Sequence, residues 1–596
     1  MKDGGAADLR ARIECVREGL LPRRFFIAQM AQLGVAAPLA NLMLLHAGIA
    51  QPAKAAWQPS KRGGGGLLKM LLWQGPTILN PHFTSGTKDG EACRLFYEPL
   101  LHIDSEGGLW PILAAELPSR DNGGLAADGR SVTWKLKQGV RWHDGKPFTA
   151  DDVLFTWQYA TNPATAAITA GAYQGTKLVK VDAHTVRAVF DKPNPVWADS
   201  YTIVRIIPRH VFEAFIGAKS REAPANLKPV GTGPYKFVEF KPGDLVTAEI
   251  NADYHMPNKP FFDRIEMKGG GDAVSAARAV IQTGEFDYAW NVQVEDDVLK
   301  RMEAGGKGRA QFVAGGSVET LFINATDPSV EVDGERASPK SRHPVLSDPA
   351  VRKALALLID RNSVQQFIYG RGGVVTGNYL HNPARFRSPN QKAEFSIDKA
   401  NALLDAAGWK RGGDGVRAKD GKRLSFLFQT SNNPLRQKTQ NIIKQAAAKA
   451  GIAMELKAVT ASVFFSGDVG NPDTTGKFWA DLEMYTTDQG SPDPQRQMSR
   501  FVSWEASSKA NKWLGLNITR WRNDDYDKAW RAAEVELDPV KRAALFVRMN
   551  DLVIEGGHIV PVIFRPDAAA LSNTLSAELS CWDNHTGSIH DWHRAA

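Results

Sequence analysis

Between Leu424 and Leu456 the chain reads strand, helix, strand. Leu424–Gln429 is a short apolar and aromatic run. Pro434–Ala450 follows with helical patterning and is stopped by Gly451, and Ile452–Leu456 is a second apolar run. Two strands joined through a helix of this length cannot form a hairpin. They lie side by side and parallel, and a parallel sheet has to be covered by helices. This stretch therefore predicts an α/β fold. Its neighbours agree. Asp348-Pro349 starts a helix with proline at its first position and an apolar face of Val351, Leu355, Leu358 and Ile359. Ser396 opens another helix, closed by Gly408, and Asp538-Pro539 opens a late one that ends near Gly556-Gly557. Ile559–Phe564 reads as a buried strand, and so does Leu67–Trp73. Ser131–Leu136 alternates with period two, as a half-buried strand does. Thr149 is placed to cap a helix with Asp152 three residues on. Val153, Leu154 and Trp157 share one face of that helix.

At 596 residues the chain is too long for one ordinary domain. Charged residues make up 23% and hydrophobic residues 43%, which excludes a disordered or fibrous chain. The net charge of +8 is spread along the sequence without a dense basic tract, so no nucleic-acid footprint is expected. Three cysteines, Cys15, Cys93 and Cys581, exclude a disulfide-rich scaffold and a four-cysteine zinc site. No repeat of 20–50 residues recurs, which excludes solenoids and propellers.

Residues 1–55 read as an address. Arg23-Arg24 followed by Phe25-Phe26-Ile27 and a mildly apolar stretch to Ala50 fits a twin-arginine export signal, cleaved after Ala50 or Ala55. Pro22 and Ala28 depart from the usual motif. No later segment has eighteen uninterrupted apolar residues, so a water-soluble, periplasmic body is expected. Residues 56–66, ending in Gly63-Gly64-Gly65-Gly66, read as a flexible lead-in. In an oxidising compartment Cys93 and Cys581 could pair or stay reduced, and both possibilities remain open here.

Enzyme motifs are missing. There is no Gly-x-Ser-x-Gly elbow, no His-Glu-x-x-His and no phosphate loop. Gly231-Thr232-Gly233-Pro234 lacks the third glycine of a dinucleotide fingerprint and reads as a tight turn where two backbones approach. His143 beside Asp144 reads as structural. His585, His590 and His593 read as a surface tail with some aromatic packing, so no metal and no cofactor are expected.

The block Gly139-Val140-Arg141-Trp142-His143-Asp144-Gly145-Lys146-Pro147-Phe148-Thr149-Ala150-Asp151-Asp152-Val153 resembles the peptide/nickel/opine-type solute-binding proteins of ABC importers, family 5. Pro229–Phe237, Asn251–Tyr254, Gly284–Asp287, Leu346–Leu355 with Ile359–Arg361, and Asp398–Trp409 follow in the order that family has, so the resemblance runs from about Leu67 to Trp592. It implies a two-lobed periplasmic binding protein of class II, cluster C type, with an extra subdomain in the first lobe. The implied divisions are 67–108, 109–228 (the subdomain) and 229–324 in lobe I, 325–562 in lobe II, and 563–596 returning to lobe I. Crossings are expected near Leu321–Asn324 and Pro561–Phe564.

Ligands of open parallel sheets bind beyond the carboxyl ends of strands. Asp481–Tyr485 reads as such a strand, and Thr486–Asp493 as the loop beyond it. The resemblance makes Asp488 the partner of a peptide's N-terminal ammonium, although Gln489 stands where many relatives have an aromatic residue. Asp493 is the alternative anchor. Tyr485, Thr487, Trp73 and Gln74 are further candidate contacts. The implied partners are a peptide or small solute together with ABC permease and ATPase subunits, and a monomer is expected. An opine or other non-peptide ligand, a sensory role and an exported hydrolase are the alternatives.

Overall fold

The structure is a computed structural model of the chain and describes residues 11–18, 20–32, 44, 57–84, 86–466, 470–487 and 490–595. These fall into two compact units. The first comprises residues up to Val294, Val298–Val313 and Asp567–Ala596, and the second Glu295–Asp297 and Ala314–Pro566. No helix among the described residues is long and apolar enough to cross a membrane.

Near the start, a helix over 11–17 and α1 (Arg23–Gln32) pack through Val16, Phe26 and Met30, and Leu44 joins that cluster. The cleavage positions Ala50 and Ala55 lie outside the described residues. The glycine run is not a flexible lead-in. The Asp263 carboxylate accepts the N–H groups of Gly64 and Gly66, both at 2.8 Å, and the N–H groups of Gly63 and Gly65 bond to the carbonyls of Pro260 and Phe261. Four donors that glycine leaves bare are thus satisfied by one segment distant in sequence.

The chain then forms β1 (Leu67–Leu72), β2 (Ser131–Lys135), α2 (Ala150–Thr161), β3 (Thr176–Asp182) and β4 (Thr185–Phe190). The first unit continues with β5 (Tyr235–Lys241), β6 (Leu245–Ile250), β7 (Arg264–Gly269), β8 (Tyr288–Ala289) and β9 (Gly308–Val313). The second unit holds β10 (Val318–Ile323), β11 (Ser425–Ser431), α3 (Pro434–Lys449), β12 (Ala453–Val459), β13 (Leu482–Thr487), α4 (Pro539–Gly556) and β14 (Ile559–Phe564). Finally β15 (Asp567–Ser572) returns to the first unit.

In the first unit a seven-stranded mixed sheet runs in the order β9-β15-β8-β1-β7-β6-β5. β1 is parallel to both β7 and β8, and β15 is antiparallel to β8 and β9. A separate three-stranded sheet, β2-β4-β3, lies within the span expected for the extra subdomain. α2 starts with a full capping box. Thr149 takes the N–H of Asp151, and Asp152 returns a bond to the Thr149 N–H at 2.9 Å. Its buried face is wider than the sequence reading, adding Phe155, Tyr159 and Ala160 to Val153. The two most diagnostic sequence blocks meet here. His143 Nδ1 accepts from the Gly231 N–H at 3.1 Å, and its Nε2 lies 3.0 Å from the Gly233 carbonyl. A Cβ on Gly231 would fall 1.8 Å from the Phe96 carbonyl oxygen, so glycine there permits the close backbone approach expected of it.

In the second unit the order is β12-β11-β13-β10-β14. β11, α3 and β12 form the parallel crossover unit, in register Ser425 to Ala453 through Ser431 to Val459. β13 is parallel to β11, while β10 is antiparallel to β13 and β14. The unit boundaries differ from the sequence reading. β10 and β14 belong wholly to this sheet, so, apart from the short Glu295–Asp297 excursion, the crossings are at Val313/Ala314 and Pro566/Asp567. An apolar strand announces burial, not the sheet in which it is buried.

Candidate functional site

Because β11, β12 and β13 are parallel, their carboxyl ends, Ser431, Val459 and Thr487, share one edge of the second unit's sheet. The antiparallel β10 begins at that edge and β14 ends there, with Val318 opposite both Thr487 and Phe564. This is the edge at which open α/β sheets place their ligands.

A buried ion pair organises one face of it. Arg436, in the first turn of α3, is directed by Asn433, whose side chain accepts the N–H groups of Leu435 and Arg436. Its Nε donates to Glu319 Oε1 at 2.8 Å, Nη1 to Ser431 Oγ at 2.9 Å and Nη2 to Thr486 Oγ1 at 3.1 Å. Thr486 in turn donates to Glu319 Oε2 at 2.5 Å. Three strand ends and one helix start are thereby joined through one guanidinium and one carboxylate, both out of water.

The opposite face of β13 carries Glu483, Tyr485 and Thr487, since alternate residues of a strand share a face. Glu483 is fully buried and receives Gln429 Nε2 at 3.0 Å, and burial pushes its carboxyl well above the ordinary range. Tyr485 packs against Phe322 (4.8 Å between ring centroids), Phe465 (5.8 Å) and Phe464 (6.0 Å). Burial also raises the Tyr485 hydroxyl pKa, and the charge of the half-buried Arg500 opposes that rise both there and at Tyr379. Thr487 is the last residue of β13 and is buried, rather than the loop residue the sequence suggested. Asp488 and Gln489 lie outside the described residues.

Asp493 is engaged within the fold. Both its oxygens accept from the Arg542 guanidinium, one of them at 3.0 Å, and Oδ1 also accepts the Gln495 N–H at 2.9 Å. Arg542 sits in the first turn of α4 and is buried, so it requires an anion, which this loop supplies. In the first unit Trp73 follows β1. Its indole N–H donates to the Asn291 carbonyl at 3.0 Å and its ring lies 6.3 Å from that of Trp290, whereas Gln74 is exposed. The structure thus groups Tyr485 and Thr487 in the second unit, while Trp73 and Gln74 belong to the first.

Two side chains escaped sequence reading. His381 stacks on Phe564 at the end of β14, with centroids 4.2 Å apart. Burial and the neighbouring charge of Arg387 bring its pKa down to about 3, so it is neutral. Arg500 lies in a short helical turn beyond the expected loop. Neither sits in a motif, and only the return of β14 to this edge brings His381 into view.

The C-terminal histidines are not a surface tail. His585 and His590 are buried, and His593 stacks on Trp57 with centroids 4.3 Å apart. Cys93 and Cys581 are not joined by a disulfide. Cys93 is buried, and the Cys581 thiol donates to the Val313 carbonyl at 3.0 Å. Among the described residues, the metal-ligating side chains that gather are Asp567, Cys581 and His585, in the first unit.

Known proteins are similar to this chain in sequence and fold. The oligopeptide-binding protein AppA of Bacillus subtilis is 28% identical over 417 residues, spanning 68% of this chain and 71% of that protein. The solved structure of that AppA in complex with a nonapeptide matches with a TM-score of 0.72 at 23% identity, over 90% of this chain and 100% of that one. NikZ from Campylobacter jejuni in complex with Ni(L-His) matches with a TM-score of 0.72 at 23% identity, over 89% of this chain and 99% of that one. These neighbours are two-lobed periplasmic binding proteins, and this chain shares their α/β fold. The profile of the bacterial extracellular solute-binding proteins, family 5 (middle) matches residues 111–509, and the chain belongs to that family of ABC-importer solute-binding proteins.

Proposed function

We propose that this protein captures a short peptide, or a solute resembling one, outside the cytoplasmic membrane and delivers it to an ABC permease. The chain hydrolyses no ATP itself; the importer's ATPase subunits do. Capture proceeds by hinge closure, with the closed state selected by contacts that the solute makes to both lobes. The observation that carries this reading is the carboxyl edge of the second unit's sheet. There a pre-formed ionic network, an aromatic cluster around Tyr485 and the half-buried Arg500 surround the end of β13. In this reading Asp488 receives the ligand's ammonium, Tyr485, Thr487, Trp73 and Gln74 contact it, and Arg500 is suited to its carboxylate. The relative complexed with a nonapeptide supports a peptide. Residues 1–55 act as the export signal, and the mature chain works as a monomer without enzymatic turnover.

Mass spectrometry of solutes released by denaturing the gently purified protein tests the ligand class. Peptides are expected, and a single non-peptide solute such as an opine would overturn that class. The anchor is tested by Asp488→Asn. It should weaken peptides with a free amino terminus by about tenfold or more, the worth of a charge-assisted bond, and leave N-acetylated peptides unaffected. Equal affinity of variant and parent for free peptides would remove Asp488 from the site.

A further inference from the structure

We propose that the first unit contains a binding site for a divalent d-block cation, formed by Asp567, Cys581 and His585. One ligand atom from each of these residues lies within 4.8 Å of the other two. A tetrahedral zinc site has neighbouring ligand atoms about 3.3–3.8 Å apart, so the three need close in by no more than about 1.5 Å when an ion enters. Asp567 and Cys581 are half-buried, which leaves a path for the ion, and His585 is buried.

The surroundings hold the ligands in place. Asp567 is the first residue of β15 and pairs with Val313, the last residue of β9. The Cys581 thiol is held at that same Val313, on its carbonyl. The His585 ring is oriented by Tyr288, whose hydroxyl lies 2.7 Å from Nδ1, and its backbone N–H is fixed by the buried Glu91 carboxylate at 3.1 Å. With Nε2 as the ligating nitrogen, this bond at Nδ1 is the usual support of a ligating histidine.

A thiolate, an imidazole and a carboxylate together select zinc, cobalt(II) or nickel(II) over calcium or magnesium, which take oxygen alone. Binding forms the metal–sulfur bond as the Cys581 S–H proton passes to solvent, and the thiol's bond to Val313 is given up. Three protein ligands leave a fourth position for water. Val313 and Asp567 also flank two of the chain's crossings between the units, so the ion would brace the first-unit root of those two connections.

Cobalt(II) titration of the chelator-treated full chain tests this, in a Cys15→Ser, Cys93→Ser background that leaves Cys581 as its one thiol. The expected result is a thiolate-to-cobalt charge-transfer band that saturates at one ion per chain, is reversed by zinc and is lost in Cys581→Ser. Asp567→Asn should weaken zinc at least about tenfold. No charge-transfer band in the background protein overturns the proposal, and that arm requires no ligand variant to fold. A band that survives Cys581→Ser overturns it as well. The readout involves no solute, so its failure leaves the peptide-binding reading untouched.

Discussion

Arg436 and Glu319 are almost entirely removed from water, and every polar atom of their contact has a partner on a strand end or helix start. Such a pair contributes little net stability relative to apolar side chains, but removing one member leaves the other as an uncompensated buried charge. Arg436→Met is therefore expected to cost about 3–5 kcal/mol, and the double replacement Glu319→Gln with Arg436→Met distinctly less. Urea unfolding of the three proteins checks this, and equal losses in the single and double variants would contradict it. These partners are 117 residues apart in sequence, which is why the pair was not legible there. The same holds for Asp493 and Arg542, 49 residues apart. Sequence spacing pointed to Asp493 as a loop carboxylate facing a ligand, and only folding shows that a buried arginine on α4 already occupies it.

At the scale of elements, sequence reading succeeds where the determinant is local. The Thr149–Asp152 capping box, the Asp538-Pro539 start of α4 with its left-handed Gly557 stop, and the β11–α3–β12 crossover all depend on residues within one or two turns of each other. Thr149→Ala should cost about 1 kcal/mol, the usual worth of such a cap. Gly231→Ala should cost at least about 2 kcal/mol, because the added methyl meets the Phe96 backbone rather than a side chain that can move. Thermal unfolding of both variants checks the order, and Gly231→Ala proving the milder would contradict the close approach. What stays illegible at this scale is membership. β10 and β14 were read as the ends of the crossings between units, yet both pair inside the second sheet. Burial pattern specifies that a strand is covered on both faces, and the partner strand is a tertiary fact.

For the whole molecule, several histidines are held, buried or half-buried, as neutral rings. Burial, the main cause in each case, brings His82, His381 and His558 down to about 3, and His143 and His590 to about 4. Their ordinary value is near 6.5. As the pH falls below that, the unfolded chain takes up protons that the folded chain refuses, so stability present at neutral pH is lost. Each histidine contributes about 1.4 kcal/mol per pH unit between its unfolded and folded values. Unfolding free energy should therefore decline between pH 6.5 and 5, offset only in part by Glu483, whose buried carboxyl takes up its proton in the folded chain before the unfolded one, and a flat profile over that range would contradict the burial of these rings as neutral groups.

The central claim concerns capture of a solute by a hinged receptor. Its fold was legible in the sequence because family blocks such as Gly139–Val153 are themselves fold determinants, with His143 holding the Gly231 turn and Asp152 capping α2. The solute was not legible, because the edge proposed to meet it is assembled from strand ends and loops far apart in the chain. Calorimetric titration of the full-length protein with peptide and opine libraries tests the claim most directly. The account predicts saturable binding of one solute per chain by members of the peptide library, and the absence of binding heat across both libraries would contradict it.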